Sequence, residues 1–415
     1  MKNTFLCLLL LSAMIASFSS NAQVLAQFRG INRNGVYAES GLLKSWPASG
    51  PELLWSTDKI GNGYGSAAVT GDRIYINGEV DSTGFLFCFD LNGNLQWKTS
   101  YGKEWVESYI GSRSTPTVVG DLVYVSSGLG NISCFDRRNG TLKWGTDMLR
   151  DFHGRFTRFG HAESILVEEE NLFFTPGGDE MNVIALNRFT GKMLWKCRGF
   201  GEIPGYNSPI LIRLPERNIL VTFSAYHLLG IDAGTGELLW SHEQINIPKA
   251  ERQPGNGDTH SNSAYYENGF IYYIAGDGNC AVKLSLSADG KKIEQVWKNP
   301  EMDDYMGGFV KIGNLIYSGS ESRKNLKVMN SDNGQVVDSL KIGVGSVLLA
   351  DNMLYYYNQR GEMNLVKPDP KKPELVSSFK VPFGTKEHFS IPSIAGGVLY
   401  IRHGKSLMAY AIKQK

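Results

Sequence analysis

The sequence carries almost no net charge, because its 42 lysines and arginines are balanced by 41 aspartates and glutamates. A surface that binds nucleic acid needs clustered basic residues to neutralise phosphates, so we expect no nucleic-acid partner. Long apolar runs are also missing after the first 22 residues. Since a helix needs about 20 apolar residues to cross a bilayer, we expect no transmembrane span in the rest of the chain.

Residues 1–22 have a different character from the rest of the chain. Lys2 precedes the apolar run "FLCLLLLSAMIASF", and the small residues "SNA" follow it. This order is typical of a secretory signal peptide; the alternative, an uncleaved anchor, would need a longer run. We therefore expect export across the inner membrane to the periplasm or cell envelope, with residues 23–49 as an N-terminal leader. Cys7 lies inside the run and not behind it, so we expect no lipid anchor.

Cysteine is scarce, and no two cysteines are adjacent in the sequence. Four of the five, Cys88, Cys134, Cys197 and Cys280, lie outside the predicted signal peptide. Cys88 and Cys134 occupy the same "CFD" position of successive repeats, so we expect them in neighbouring units, too far apart for a disulfide. We expect buried free thiols, although an exported protein could form a disulfide.

No long segment has the 3.6-residue apolar period of a helix, but a turn followed by tryptophan recurs. "DLNGNLQW", "DRRNGTLKW", "NRFTGKMLW" and "DAGTGELLW" each place a tryptophan four residues after a glycine, and "SADGKKIEQVW" is a looser copy. The five tryptophans are spaced by 47, 51, 45 and 57 residues. This is the period of a four-stranded propeller blade.

A second repeat gives the number of blades. A polar turn followed by an apolar strand occurs eight times, from "GDRIYI" to "GGVLYI". The pattern predicts an all-β, eight-bladed β-propeller over residues 50–415. The last blade lacks an outer strand, whereas "PELLW" at residues 51–55 has no blade of its own. We therefore expect this N-terminal strand to close the ring, which removes two exposed sheet edges.

The motif has a physical explanation in which the tryptophans hold blades together. Glycine permits positive φ in the turn, and Asp90 or its equivalents can accept hydrogen bonds from turn amides. An indole offers a large apolar face and one N–H donor, which suits a position between two blades. The predicted docking tryptophans are Trp55, Trp97, Trp144, Trp195, Trp240 and Trp297.

The D/N-x-x-T/N-G-x-x-x-W repeat resembles the docking motif of the pyrroloquinoline quinone (PQQ) repeat propellers. The leader "AQFRGINRNG" also resembles the first segment of exported PQQ-like propeller proteins. In this family, dehydrogenases hold PQQ over calcium with Glu, Asn and Asp, beneath a disulfide between adjacent cysteines. This chain has no such cysteine pair. Other members bind partners during outer-membrane assembly without a cofactor. The resemblance thus implies the fold; we expect no cofactor, with PQQ and calcium as the alternative.

Polar residues just before the predicted inner strands are the candidates for a ligand site at the channel mouth. They are Arg113, Arg158, His161, Glu163, Asn207, His260, Asn262, Lys386 and His388. The arginines could bind an anionic, planar or sugar-like ligand. Alternatively, these residues satisfy one another around a narrow channel. His161, Glu163 and His260 could meet as metal ligands, and Asp258 with Asn262 could bind calcium, but no spacing typical of a metal site occurs; we predict none.

These observations favour a non-catalytic binding or scaffolding module of the periplasm or cell envelope. We expect a monomer whose partner is an envelope protein or a glycan, and we assign no catalytic residue. The alternative is a PQQ-dependent alcohol or sugar dehydrogenase, so enzymatic activity stays open. Hydrolase or lyase chemistry on polysaccharide would depend on Glu163, His161 and His260 alone.

Overall fold

The computed structural model describes residues 24–244, 247–276 and 280–415. They form eight sheets, which are the blades of a propeller. Each blade has four antiparallel strands, and two of the blades have a fifth, inner strand from the leader. This confirms the predicted fold class and blade number. The predicted signal peptide, residues 1–22, lies outside the described residues.

The first three strands join blades whose other strands come later in the chain. They are β1 (Leu25–Ala26), β2 (Val36–Tyr37) and β3 (Glu52–Thr57). Blade 1 contains β4 (Ala68–Val69), β5 (Ile74–Val80), β6 (Thr83–Phe89) and β7 (Leu95–Lys103), and blade 2 contains β8 (Thr117–Val119), β9 (Leu122–Ser126), β10 (Ile132–Asp136) and β11 (Leu142–Gly145). Blade 3 contains β12 (Leu166–Glu168), β13 (Asn171–Phe174), β14 (Val183–Asn187) and β15 (Met193–Cys197), and blade 4 contains β16 (Ile210–Arg213), β17 (Asn218–Phe223), β18 (His227–Asp232) and β19 (Leu238–Glu243).

Blades 5 to 8 repeat this order, and β3 supplies the outer strand of blade 8. Blade 5 contains β20 (Tyr265–Glu267), β21 (Phe270–Ala275), β22 (Cys280–Leu286) and β23 (Ile293–Asn299), and blade 6 contains β24 (Phe309–Ile312), β25 (Leu315–Ser320), β26 (Asn325–Asn330) and β27 (Val336–Leu340). Blade 7 contains β28 (Gly345–Ala350), β29 (Met353–Asn358), β30 (Glu362–Lys367) and β31 (Glu374–Lys380), and blade 8 contains β32 (Ser393–Ala395), β33 (Val398–His403) and β34 (Ser406–Ala411) beside β3. Helix α1 (Met148–Phe152) and a 3-10 turn (Lys249–Glu251) are the helical segments of the described chain.

In blades 1 to 7, a side chain of the turn before the outer strand accepts hydrogen bonds from the backbone of that turn, as predicted for Asp90, Asp136, Asn187 and Asp232. Asp90 Oδ1 accepts hydrogen bonds from the backbone N–H groups of Asn92 and Asn94, at 3.0 and 2.9 Å. Asp232 binds two amides of its turn in the same way. Gly236, in that turn, has a φ of +79°, a conformation that costs glycine little because it has no Cβ.

The six docking tryptophans each contact the following blade. Five donate their indole N–H to a carbonyl of that blade, at 2.9–3.1 Å: Trp55 to Leu91, Trp144 to Arg188, Trp195 to Ala233, Trp240 to Gly290 and Trp297 to Ser331. Trp97 lies over Gly140 of blade 2, where an added Cβ would be 2.6 Å from the indole. The motif therefore joins neighbouring blades.

Strand β3 closes the ring. It pairs antiparallel with β34, from Glu52 opposite Ala411 to Thr57 opposite Leu407. Trp55 thereby becomes the docking tryptophan of blade 8. Blade 7 has no tryptophan in its outer strand, and Trp46 from the leader packs against Tyr355 and Phe379 of that blade.

The leader also crosses the central channel, which the sequence pattern does not predict. Strand β1 pairs with the inner strand of blade 2 at Val118 and Val119, and β2 pairs with the inner strand of blade 7 at Leu349 and Ala350. Both pairings lie at the ends of the inner strands farthest from the loops that precede them. Residues 27–35 therefore span the channel from blade 2 to blade 7.

Two buried arginines anchor this crossing segment. Arg29 donates to the carbonyl oxygens of Gly307, Val347 and Phe309, at 3.2, 3.2 and 2.7 Å. On the opposite side, the Arg33 guanidinium donates to the carbonyls of Ile165 and Ser164. Burial lowers the pKa of each arginine to about 10, so both remain charged at neutral pH. The leader thus satisfies carbonyls in or just before the inner strands of blades 3, 6 and 7.

The four cysteines outside the predicted signal peptide are buried, free thiols in four different blades. Burial raises the pKa of both Cys88 and Cys134 to about 12. The prediction of isolated thiols is confirmed for the described chain.

Candidate functional site

A cavity of about 430 Å³ occupies the channel on the side opposite the leader pairings. Its walls come from the mouth loops, which we define as the segments that connect each outer strand to the inner strand of the next blade. Phe28 of the crossing leader also lines it. The channel is therefore a well that opens at the mouth loops and meets the leader below.

Aromatic side chains dominate the wall of this cavity, which we call the aromatic well. They are Phe28, Tyr64, Tyr109, Phe159, Tyr206, Tyr305 and Phe389. Four successive ring pairs form a continuous arc: Tyr64–Phe389 and Phe389–Tyr109 at 5.8 Å, and Tyr109–Phe159 and Phe159–Tyr206 at 6.0 Å between centroids. These separations fall within the range of favourable aromatic contacts. The arc joins the mouth loops of blades 8, 1, 2, 3 and 4.

The alternation of extended backbone explains which residues face the well. Tyr64 and Ser66 both line it, as do Arg113 with Thr115 and Tyr206 with Ser208. Residues two apart in extended chain point to the same side. Several mouth loops thus each contain one aromatic residue that faces the well. A search of the sequence for polar residues alone misses this pattern.

The hydroxyl groups below the aromatic rings join neighbouring blades. The backbone N–H of Ser66 donates to Thr115 Oγ1, that of Thr115 to Ser164 Oγ and that of Ser164 to Ser208 Oγ, at 3.1, 2.9 and 3.0 Å. Ser66 Oγ in turn donates to the Ile391 carbonyl at 2.6 Å. This belt links blades 8, 1, 2, 3 and 4, so these hydroxyls have a structural role.

Arg113 is the one charged residue in the lining of the well among the described residues. Its Nη1 donates to the Gly111 carbonyl, and its Nη2 donates to the carbonyls of Ser108 and Tyr109, at 2.6, 2.6 and 2.9 Å. Burial lowers its pKa to about 10, so it stays charged at neutral pH. The three carbonyls fix the guanidinium at the wall.

The other two predicted cations do not line the well. Arg158 is exposed and lies 5.4 Å from the Phe159 ring, whereas Lys386 is exposed on the blade 8 mouth loop. His388 Nδ1 and the Tyr357 hydroxyl form a hydrogen bond of 2.5 Å. The His388 ring stacks on that of His403, with 3.7 Å between the ring centroids. Burial, together with His403, lowers the pKa of His388 to about 4.

His161 and Glu163 lie in the wall behind the well, next to blade 3. His161 Nε2 is 3.0 Å from the Thr175 carbonyl, and the Glu163 carboxyl group accepts the Thr175 N–H at 3.0 Å. Burial raises the pKa of Glu163 to about 8 and lowers that of His161 to about 4. Both groups are thus neutral at neutral pH and bound to backbone, away from any position facing a substrate in the well.

The remaining predicted residues also bind their own walls. The Asn207 side chain accepts the Phe223 N–H, and Asn262 donates to the Asp304 carbonyl and accepts from Gly308. The buried His260 ring packs 5.0 Å from the Phe223 ring. Of the nine predicted mouth residues, Arg113 alone belongs to the lining of the described cavity. Asn207 and Asn262 satisfy backbone groups of the wall, and Arg158 and Lys386 are exposed. His161 Nδ1 and Glu163 Oε1 are buried with no hydrogen-bond partner among the described residues.

A metal site built from His161, Glu163 and His260 is not formed. Across residues 24–244, 247–276 and 280–415, no three His, Cys, Asp or Glu side chains are grouped so that they could hold a metal ion. The lining of the well also contains no carboxylate, although calcium takes oxygen ligands of this kind. The residues present therefore do not fit PQQ held over calcium.

No helix in the described ranges is long and apolar enough to cross a membrane. Among protein families, the model described as "outer membrane protein assembly factor BamB" matches residues 21–160 and 82–340. A curated relative, outer membrane protein assembly factor BamB of Shewanella oneidensis, is 26% identical over 210 residues, which cover 50% of this chain and 49% of the relative. The match thus spans about half the length of that relative.

Solved structures share the fold at low sequence identity. BamB from Moraxella catarrhalis is 9% identical, with a TM-score of 0.63, and the match covers 87% of this chain and 99% of that one. Quinohemoprotein alcohol dehydrogenase from Comamonas testosteroni is 12% identical, with a TM-score of 0.52, over 92% of this chain and 79% of that one. At these identities the likeness concerns the fold alone.

Proposed function

Since the chain belongs to the PQQ-like propeller family described as outer membrane protein assembly factor BamB, we propose that it is an exported, non-catalytic binding module. Its location would be the periplasm or cell envelope, after removal of residues 1–22. Residues 23–49 would act as the leader and residues 50–415 as the propeller domain. The proposed working surface is the aromatic well with the mouth loops around it.

The lining of the well is the observation that carries this proposal. Aromatic rings and a single fixed guanidinium can hold a ligand, but general acid–base catalysis needs titratable groups within reach of the reacting atoms. The titratable pair that the sequence suggested, His161 and Glu163, is bound to Thr175 outside the lining. Binding therefore accounts for the arrangement better than turnover.

The proposal is tested by in-cell photo-crosslinking and by reconstitution. A benzoylphenylalanine at position 109, in the well, should yield a discrete adduct in the envelope fraction of the native host. The matched control is position 142, which is 54% exposed against 47% for Tyr109 but lies on the outer strand of blade 2, where we expect no such adduct. The purified protein with added PQQ and calcium should reduce no dye in the presence of alcohols or sugars.

Two outcomes would contradict the proposed function. Dye reduction dependent on PQQ would make the protein a dehydrogenase. Equal adducts at positions 109 and 142, or an absence of the protein from the envelope, would remove the assigned surface or location.

A further inference from the structure

The size and closure of the aromatic well limit what it can hold. Its volume is about 430 Å³, within the range of roughly 300–1,000 Å³ typical of small-molecule sites. It opens at the mouth loops, and Phe28 of the anchored leader lies among its lining residues. The occupant is therefore a group of one to a few rings and not the face of a folded protein.

Addition of a peptide strand to blades 1, 2, 3 or 7 is disfavoured because backbone groups at or just before their inner strands are already paired. Strands β1 and β2 cover the inner strands of blades 2 and 7. The hydroxyl belt takes up backbone N–H groups of Ser66, Thr115 and Ser164. Strand addition requires free backbone donors and acceptors along an edge, and these edges do not supply them.

The wall suits a ring that has an apolar face and a polar rim. The faces of aromatic rings are electron-rich, and the C–H groups of a sugar ring carry the opposite partial charge. Three of the rings in the arc are tyrosines, which add hydroxyl groups: Tyr64 donates to Glu387 at the rim, and Tyr206 accepts from the Phe159 N–H. A sugar can thus stack on the arc while its hydroxyls reach the phenol oxygens.

The charge of the well selects among sugars. Arg113 is held by three backbone carbonyls, and its Nε–H has no acceptor among the described residues. No carboxylate belongs to the described lining itself. The Glu387 carboxyl group accepts from Tyr64 at the rim, and the buried Glu104 interacts electrostatically with Arg113, so Arg113 is the one charged group of the described lining that can receive an anion. A charge-assisted bond from guanidinium to carboxylate is roughly twice as strong as a neutral hydrogen bond.

We propose that the aromatic well binds a sugar ring that carries a carboxylate, a hexuronic acid unit of an acidic polysaccharide. The aromatic arc stacks on the C–H face of the ring, and Arg113 binds the carboxylate. This assignment rests on the proposed function, because it names the ligand of the same surface.

Calorimetric titration of the protein without residues 1–22 tests the assignment. The probes are trimers of galacturonate and of glucuronate, the corresponding neutral trimers, phenylacetate as an aromatic acid, and an acidic, phenylalanine-rich peptide. At least one uronate trimer should bind about tenfold or more tighter than its neutral counterpart. A higher salt concentration should weaken the binding of the uronate trimer and leave the affinity for the neutral trimer unchanged.

Three variants separate the two parts of the site. Arg113→Gln should reduce uronate affinity to that of the neutral trimer, while Arg113→Lys, which keeps the charge, should retain part of the preference. Tyr109→Ala should lower the affinity for both the uronate and the neutral trimer. Its control is Phe383→Ala, because both side chains are 47% exposed on mouth loops but Phe383 is not part of the lining. Thermal unfolding of each variant confirms that it folds.

The remaining outcomes overturn the proposal in different ways. Equal affinity for acidic and neutral trimers would remove the role of Arg113. Binding of phenylacetate or of the peptide without binding of the trimers would assign the well to another ligand class. Failure of all probes, with the adduct at position 109 intact, would refute the uronate assignment but leave the proposed function standing.

Discussion

At the scale of the residue, a glycine beneath five of the six docking indoles explains the motif. An added Cβ on Gly93, Gly140, Gly191, Gly236 or Gly334 would lie 2.6–2.8 Å from the docking tryptophan of the preceding blade. Glycine is therefore needed both for positive φ in the turn and for the close approach of the indole. The tryptophan and glycine of one contact come from different repeats, so the motif encodes the joint between blades.

Two glycine substitutions should separate backbone strain from loss of docking. Gly236 and Gly269 have φ of +79° and +82°, but a Cβ at Gly236 meets Trp195 at 2.8 Å, whereas at Gly269 it meets nothing within 4 Å. Gly269→Ala should cost about 1–2 kcal/mol of unfolding free energy. Gly236→Ala should cost about 1–3 kcal/mol more, from the steric conflict with the indole. Urea unfolding measures both, and equal losses would argue that the indole does not dock tightly.

At the scale of the element, β3 and the leader make separate contributions to one ring. Strand β3 covers the edge of β34 and brings Trp55 to blade 1. The leader strands instead bind inner edges, and Arg29 and Arg33 satisfy carbonyls far away in the sequence. Loss of β3 would leave a full row of unpaired backbone groups along the edge of β34. Loss of the leader would uncover carbonyls inside the channel, where water can bind them.

Two truncations compare these contributions. A chain that begins at Gly41 lacks β1 and β2 but keeps Trp46 and β3, while a chain that begins at Lys59 lacks all of them. We expect the shorter chain to lose much more thermal stability and to expose β34 to proteolysis. If it unfolded like the intact protein, closure of the ring by β3 would not matter for stability.

At the scale of the whole molecule, neighbouring blades share their apolar cores. Phe173 and Trp195 of blade 3, for example, pack in one cluster with Leu220 and Leu229 of blade 4. Opening one blade therefore exposes apolar surface of its neighbours. Because the pairing of β3 with β34 also joins the first and last parts of the propeller, we expect the blades to unfold together.

The four buried thiols report on this cooperativity. They lie in blades 1, 2, 3 and 5, and burial keeps them protonated and unreactive. In the chain without residues 1–22, all four should react with a thiol reagent in a single step at the urea midpoint. A reductant should leave that midpoint unchanged. Stepwise labelling below the midpoint would show that blades open independently.

The sequence by itself determined the repeat, the number of blades, the closing strand and the docking tryptophans. These features depend on local chemistry: turn residues that tolerate positive φ, apolar alternation and a fixed spacing between glycine and tryptophan. The same local rules predicted isolated buried cysteines, because equivalent positions in neighbouring blades cannot meet.

Only the tertiary structure decided which side chains face the channel and what closes it. A shift of one residue in an extended strand turns a side chain to the other face, so polar residues such as His161 and Glu163 could not be placed from composition alone. The path of the leader depends on contacts such as that of Arg29 with Gly307, 278 residues apart, which no local pattern encodes. The aromatic well exists because folding brings two or three residues from each of several distant loops to a common axis.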